Sequence, residues 1–193
     1  MRVVYIHGAT ASCRSFAYIQ SSIQASNPIY LNYDRNRSAS VNLTDMTEML
    51  EYVDDDLYII CHSLGGIYAV YLQEWFDNVK RVVSLATPFN GSEIASWSSV
   101  FLPHYQLFQD ITPDSRFIKQ SRDIEIRVPW TNFVSTAGDV PWLIGQNDGI
   151  VTHSSMTMRD DVDYVEIDRN HYEILQSDRV LNFIKHTLHT KGA

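Results

Sequence analysis

The chain has 193 residues, and its 45% hydrophobic and 20% charged residues are ordinary for a globular protein. Its formal net charge of −8 argues against nucleic-acid binding, which needs clustered Lys and Arg. No apolar run approaches the roughly 20 residues of a membrane span, so we expect no stable membrane insertion. Cys13 and Cys61 do not make a disulfide framework and the N-terminus has no signal-peptide core, which together predict a cytoplasmic protein.

Six short apolar runs are the predicted strands, and several of them lack polar alternation, as buried parallel strands do. In chain order they are Val3–Ile6, Ile29–Tyr33, Leu57–Cys61, Arg81–Leu85, Asn132–Thr136 and Asp163–Ile167. Helical periodicity separates them, and we expect Asn42 and Asp178 to be the N-caps of two of these helices. The alternation predicts one α/β domain over residues 1–193, a three-layer sandwich. Its mostly parallel six-stranded sheet carries helices on both faces.

The segment 91–129 interrupts the alternation and is too long and too aromatic for a bare loop. We expect a helical insertion that covers the carboxyl ends of the strands, where ligands bind in open α/β sheets. Trp97, Phe101 and Tyr105 of this insertion, together with Trp142, are candidates for lining a substrate pocket. A locally packed core beneath a long connection explains the aromatic residues equally well.

The strongest chemical signal is Cys61-His62-Ser63-Leu64-Gly65-Gly66, where an apolar strand runs directly into a helix. It matches the nucleophile elbow G-x-S-x-G, except that Cys61 replaces the first glycine. In such an elbow the serine occupies a strained turn that lifts its hydroxyl above the sheet. The residues two before and two after it are expected to face each other closely and therefore to be small, as Cys61 and Gly65 are. Ser63 is the predicted nucleophile.

The first predicted strand ends in His7-Gly8-Ala9, where hydrolases with such an elbow build half of an oxyanion hole. A tetrahedral intermediate needs two donors directed at its oxyanion. The predicted donors are the backbone N–H groups of Ala9 and Leu64. For His7 we favour a structural role in this loop over a role as general base, because it stands too early in the chain.

A serine nucleophile needs a histidine base and an acid that orients it, in the chain order serine, acid, histidine. Among the later histidines, His171 directly follows the last predicted strand and is the preferred base. His104 is interpreted as a surface or pocket residue. His186 and His189 lack a third metal ligand in the pattern, so they are interpreted as complementing the C-terminus of the last helix.

Two aspartates compete for the role of the acid. Asp148, in Asn147-Asp148-Gly149, follows the fifth predicted strand after a loop and is placed to reach His171. Asp139 lies nearer the strand end, where shaping the turn is a sufficient role for it. Asp148 is favoured, and Asp139 stays open as the alternative.

The elbow, His7-Gly8, Asn147-Asp148-Gly149-Ile150-Val151 and Asn170-His171 together resemble bacterial lipases and esterases of the α/β-hydrolase superfamily. The resemblance spans almost the whole chain in the right order. The small Bacillus lipases are especially similar, since their elbow also carries a small non-glycine residue at its first position. The insertion, however, is longer here than its counterpart in the minimal lipases.

This resemblance implies the α/β-hydrolase fold and hydrolysis of carboxylic esters through an acyl-enzyme. It implies a Ser63–Asp148–His171 triad with Ala9 and Leu64 as oxyanion-hole residues, no cofactor and no metal, and a small ester or lipid as substrate. A thioesterase or an amidase would use the same triad. From another class, the alternative is a catalytically inactive binding protein of the same fold. Nothing in the sequence indicates an oligomeric state.

Overall fold

A computed structural model of the chain describes residues 1–92 and 106–189, and a single parallel β-sheet forms their centre. The strands are β1 (Arg2–Ile6), β2 (Ile29–Leu31), β3 (Leu57–His62), β4 (Val79–Leu85), β5 (Trp130–Ser135) and β6 (Asp163–Ile167). Their spatial order is β2-β1-β3-β4-β5-β6, and every neighbouring pair is parallel. Each predicted strand overlaps one of these six, so the predicted α/β class is confirmed.

The four inner strands, β1, β3, β4 and β5, are largely buried on both faces because their alternate side chains enter two different apolar layers. In β3, for example, Ile59 and Cys61 pack into the layer on one face, whereas Tyr58 and Ile60 pack into the layer on the other. Every residue of β3 and of β5 is buried. This double burial explains why these strands read as continuous apolar runs in the sequence.

Seven α-helices surround the sheet in the described part of the chain. They are α1 (Ala17–Ile23), α2 (Ala39–Leu50), α3 (Leu64–Trp75), α4 (Gln106–Asp110), α5 (Arg116–Asp123), α6 (His153–Met156) and α7 (Asp178–His189). Helices α2, α3 and α5 contribute to the apolar layer on one face, and α1 and α7 contribute to the layer on the other. The molecule is therefore the three-layer sandwich that the sequence predicts.

The two N-caps differ from the prediction. Helix α2 begins one residue after Ser38, whose side chain accepts the first capping hydrogen bond. Asn42 instead lies buried inside α2, where its side chain bonds the backbone N–H and C=O of Asp34 (3.2 and 2.8 Å). Asp178 is the first residue of α7, and Tyr18 donates a hydrogen bond to its carboxylate. Asn42 was predicted as a cap because it directly precedes the periodic apolar residues. These begin at Leu43, about one turn after the helix itself begins.

Helices α4 and α5 belong to the described part of the predicted insertion, and α5 is fastened at both of its ends. The Tyr71 hydroxyl of α3 donates to the carbonyl oxygen of Phe117 (2.6 Å) at its start. The Arg159 guanidinium donates to the carbonyl oxygens of Ser121 (3.2 Å) and Ile124 (2.7 Å) at its end. These contacts fix α5 beside the carboxyl end of the sheet.

Candidate active site

Ser63 is the single residue between β3 and α3, and its backbone conformation (φ 53°, ψ −125°) is one that L-residues rarely adopt. Such a conformation costs on the order of 1–3 kcal/mol and persists only where the surroundings impose it. Here the Ser63 N–H donates to the carbonyl oxygen of Leu85 (2.8 Å), and the Ser63 carbonyl accepts from the N–H of Gly66 (3.0 Å). The turn places Ser63 on a cavity and at the positive end of the α3 dipole.

Gly65 is required at the elbow because the end of β1 lies against it. A Cβ atom on Gly65 would lie 2.3 Å from the carbonyl oxygen of Ile6 and 2.9 Å from that of His7. Cys61 has a different environment, since its side chain is buried in the apolar layer with its Sγ 3.8 Å from the carbonyl oxygen of Val83. Gly65 is therefore small because it packs against the end of β1, and not because it approaches Cys61 as predicted.

His171 and Asp148 form a buried pair, with His171 Nδ1 and Asp148 Oδ2 2.7 Å apart. A second contact joins their backbones, as the His171 N–H donates to the Asp148 carbonyl oxygen (3.1 Å). An ionised carboxylate only accepts hydrogen bonds, so Nδ1 carries a proton, and in the neutral imidazole Nε2 is the nitrogen with the lone pair. His171 lines the same cavity as Ser63.

The Asp148 carboxylate is held by four donors. Besides His171, the Ser135 hydroxyl donates to Oδ2, and the N–H groups of Ile150 (3.0 Å) and Val151 (2.7 Å) donate to Oδ1. Burial raises the pKa of Asp148, but the hydrogen bonds from His171 and Ser135 and the charge on His171 outweigh it, and the net pKa lies below its ordinary value. Asp148 is therefore an ionised partner for His171 at neutral pH.

The competing candidates lie elsewhere. Asp139 is exposed, and its backbone N–H contacts the Asn147 carbonyl oxygen at 3.3 Å, as expected of a turn residue. His153, a further histidine downstream of Ser63, pairs with Glu166 at the surface (2.8 Å). His104 lies outside the described residues. Among the described candidates for the acid and the base, Asp148 and His171 are the two that contact each other.

Ala9 and Leu64, the predicted oxyanion-hole residues, line the cavity together with Ser63. Leu64 is the first residue of α3, where backbone N–H groups have no partner within the helix. Two hydrogen bonds fix the orientation of the peptide group between Gly8 and Ala9. The Gly8 carbonyl oxygen accepts them from His7 Nδ1–H (2.7 Å) and from the Ala11 N–H (3.1 Å). In a trans peptide the N–H points opposite to the C=O, so these bonds direct the Ala9 N–H away from His7.

His7 is held as a neutral structural residue in this loop. Its Nε2 accepts the Tyr33 backbone N–H (3.2 Å), and its ring stacks on the Tyr33 ring with centroids 4.1 Å apart. Burial lowers the pKa of His7. This arrangement agrees with the structural role that we favoured for it.

The cavity beside Ser63 has a volume of about 180 Å³ and is mainly apolar. Its apolar side chains come from the elbow, the loop after β4, the insertion and the loops around Asp148 and His171: Leu64, Pro88, Phe108, Ile111, Ile118, Ile150, Val151 and Tyr172. Of the predicted pocket residues, Trp142 does not line it, and its side chain is 64% exposed. Trp97, Phe101 and Tyr105 lie outside the described residues.

No family model and no curated protein sequence matches this chain, whereas solved structures do. The mature Bacillus licheniformis lipase BlEst2 superposes with a TM-score of 0.69 at 17% identity, over 97% of this chain and 91% of that one. Phospholipase PlaB of Legionella pneumophila gives 0.79 at 11%, over 100% of this chain and 60% of its own. A monoacylglycerol lipase of Paleococcus ferrophilus gives 0.63 at 14%, over 96% and 91%. The chain has the α/β-hydrolase fold.

In an α/β-hydrolase the nucleophile stands on the turn after a central strand, and the acid and the base follow on later loops. Ser63, Asp148 and His171 stand at these places in the order of the chain. Residues 1–92 and 106–189 contain no group of three or more His, Cys, Asp or Glu side chains arranged to hold a metal ion. No helix among them is long and apolar enough to cross a membrane.

Sequence reasoning missed two residues that contact this candidate site. Ser135, the last residue of β5, donates to the Asp148 carboxylate. His62, the last residue of β3, has its Nε2 2.8 Å from the His171 carbonyl oxygen. Both stand at carboxyl ends of central strands, next to predicted site residues in space. That shared edge of the sheet is the only signal in the sequence that points to them.

Proposed function

We propose that the protein hydrolyses carboxylic esters with Ser63 as nucleophile, through an acyl-enzyme intermediate. The observation that carries the proposal is the buried His171–Asp148 pair, whose 2.7 Å hydrogen bond reserves the Nε2 lone pair for a proton from Ser63. A base held by a buried carboxylate, beside a serine on a strained elbow, is the arrangement that acyl transfer requires. The similarity in fold to a lipase and a phospholipase also supports a lipid-like ester as substrate.

In the first half of the reaction, His171 Nε2 takes the Ser63 hydroxyl proton while the Ser63 oxygen attacks the ester carbonyl carbon. The carbonyl electrons move to oxygen, which the N–H groups of Ala9 and Leu64 stabilise. Losing one such donor costs about 2.7–4 kcal/mol in comparable sites. Asp148 stabilises the imidazolium, which then protonates the alcohol oxygen as the C–O bond breaks.

Water completes the reaction by the same route. His171 removes a proton from the water as it attacks the acyl-enzyme, and the oxyanion again lies against Ala9 and Leu64. Collapse of this intermediate breaks the bond to Ser63, whose oxygen regains its proton from His171. The acid is released and the enzyme returns to its starting state without a cofactor.

The cavity favours a neutral substrate with an apolar group of limited size. Its described lining carries no Asp, Glu, Lys or Arg side chain, so a charged group there would lose its hydration without a partner. An apolar protein cavity of about 150 Å³ accommodates a benzene molecule. At about 180 Å³, this cavity has room for an aryl group or a short acyl chain close to the reacting carbon.

A fluorophosphonate should label the protein once, at Ser63, because among the serines of residues 1–92 and 106–189 it alone stands on the elbow directly before the proposed oxyanion-hole donor Leu64. Intact-protein mass spectrometry measures the stoichiometry, and peptide mapping identifies the modified residue. The surface variant Ser154→Ala is the matched control and should label at the wild-type rate. A label on another serine, or labelling that persists at the same rate after denaturation, would count against the proposal.

Hydrolysis of p-nitrophenyl esters should speed up with acyl length by roughly 4-fold in kcat/KM for each CH₂ that the cavity buries, at about 0.8 kcal/mol each, and should level off once further CH₂ groups stay in water. The series is run beside the corresponding acyl-thioesters and anilides. Faster turnover of thioesters or anilides would identify the protein as a thioesterase or an amidase. No turnover of any member would support a binding protein instead.

A further inference from the structure

His62 is a buried imidazole that the reaction as described does not use. It ends β3 directly before Ser63, and its side chain is only 2% exposed. Its Nε2 lies 2.8 Å from the backbone carbonyl oxygen of His171, although 109 residues separate the two in the chain. The two rings lie side by side, with centroids 4.8 Å apart.

The hydrogen bond fixes which nitrogen of His62 carries the proton. A carbonyl oxygen only accepts, so Nε2 is the donor and Nδ1 keeps a lone pair. Nδ1 is buried and has no hydrogen-bond partner among the residues that the structure describes. It faces Gly8, where an added Cβ atom would lie 3.1 Å from it. A second proton on Nδ1 would therefore be buried without an acceptor, and His62 stays neutral.

A neutral His62 is compatible with the proposed role of the neighbouring His171 as general base. Burial, followed by the charge on His171, lowers the pKa of His62 to about 3. When His171 takes the proton from Ser63, His62 does not compete for it. It also adds no second positive charge next to the imidazolium.

The bond completes the fixation of His171. The His171 N–H donates to the Asp148 carbonyl oxygen, and its ring Nδ1–H donates to the Asp148 carboxylate. Both of these contacts come from one residue on one loop. The contact from His62 comes from the last residue of β3, the central strand that directly precedes Ser63. It therefore ties the loop of the base to the element that carries the nucleophile.

We propose that His62 is a positioning residue: its Nε2–H holds the backbone of His171 so that the base keeps its place relative to Ser63. The proposal rests on the proposed function for its kinetic consequence, and on geometry alone for the placement of the ring. A 1 Å error in placing a reacting group costs on the order of 100-fold in rate. A rigid tie between β3 and the loop of His171 prevents such an error.

Three substitutions of His62 distinguish a role for its hydrogen bond to His171 from a role in filling space. In His62→Gln, the side-chain amide nitrogen lies at about the reach of Nε2, so a neutral donor is kept. In His62→Asn the amide is too short and reaches only about as far as Nδ1. In His62→Leu the donor is removed while an apolar volume remains. Urea unfolding of each variant establishes the conditions under which it is folded.

The kinetic result that we expect is a split between kcat and KM. His62→Leu and His62→Asn should lower kcat by roughly 10- to 100-fold and change KM by much less, because the Nε2–H of His62 contacts the backbone of the base. His62→Gln should recover kcat to within about 3-fold of wild type. Unchanged kcat in His62→Leu and His62→Asn would overturn the proposal, as would equal losses in the Gln and Asn variants.

Proton NMR spectroscopy tests the same proposal without depending on turnover. The His171 Nδ1 proton, hydrogen-bonded to Asp148, should give a resolved downfield proton resonance in the wild-type protein and in His62→Gln. The same resonance should broaden or vanish in His62→Asn and His62→Leu, where His171 is less fixed. If wild type shows no esterase activity and no label, the proposed function fails, yet this resonance still decides the role of His62. A sharp, unshifted resonance in all variants would refute that role.

Discussion

Ser63→Ala should lower kcat for ester hydrolysis by roughly 10⁶-fold, the loss found when a serine nucleophile is removed from such a triad. The methyl group cannot form the acyl-enzyme, and His171 is left without the proton that it is placed to accept. The backbone change is small because alanine meets the same φ of 53° as serine does. Steady-state kinetics with a p-nitrophenyl ester measures the loss, and urea unfolding should give a free energy of unfolding close to that of the wild type.

The control for this experiment is Ser154→Ala, an exposed serine of α6 that contacts no part of the proposed triad. It should keep wild-type kcat and KM. Esterase turnover that survives in Ser63→Ala at more than about a thousandth of the wild-type rate would exceed the residual catalysis that binding and an oxyanion hole supply without a nucleophile. The nucleophile would then have to be another residue.

Asp148→Asn should lower kcat by roughly 10⁴-fold, through the proton on His171 and not through a change of shape. The N–H groups of Ile150 and Val151 bond Oδ1, so the asparagine carbonyl oxygen must take that position. Its NH₂ group then faces His171 Nδ1, which has to accept. The imidazole proton moves to Nε2, where a lone pair is needed. The slower fluorophosphonate labelling of Ser63 would report the same defect without turnover.

Asp139→Asn is the matched control, because it makes the same chemical change at the other candidate acid. Asp139 is exposed and contacts Asn147 through its backbone N–H, so this variant should keep wild-type kinetics. If Asp139→Asn is the more damaging of the two, the assignment of the acid is wrong and the contact between Asp148 and His171 is structural.

The sheet could be predicted because its determinants are local. Runs such as Leu57–Cys61 are apolar without alternation, and the elbow Cys61-His62-Ser63 joins strand to helix within a few residues. The cap of α2 was missed because Ser38 stands a full turn before the first large apolar residue. The local sequence pattern therefore predicts the type and order of the helices and strands more accurately than it predicts the residue at which each one begins.

The support of the candidate site could not be predicted, because it depends on contacts between distant parts of the chain. Ser135 and Asp148 are 13 residues apart, and His62 and His171 are 109 apart. Trp142 was predicted to line the pocket, but the direction of its side chain depends on a loop whose shape the sequence does not display. Order along the chain selects the reacting residues, whereas their support requires the folded structure.

The conformation of Ser63 has a consequence for how this chain tolerates mutation. Glycine adopts a φ of 53° at no steric cost, so folding alone would favour glycine at the centre of the elbow. Under the proposed function, serine at this position lowers stability relative to glycine but is required as the nucleophile. A screen for thermostable variants, run without a selection for turnover, would tend to remove it, and the most stable members of such a library would include inactive ones.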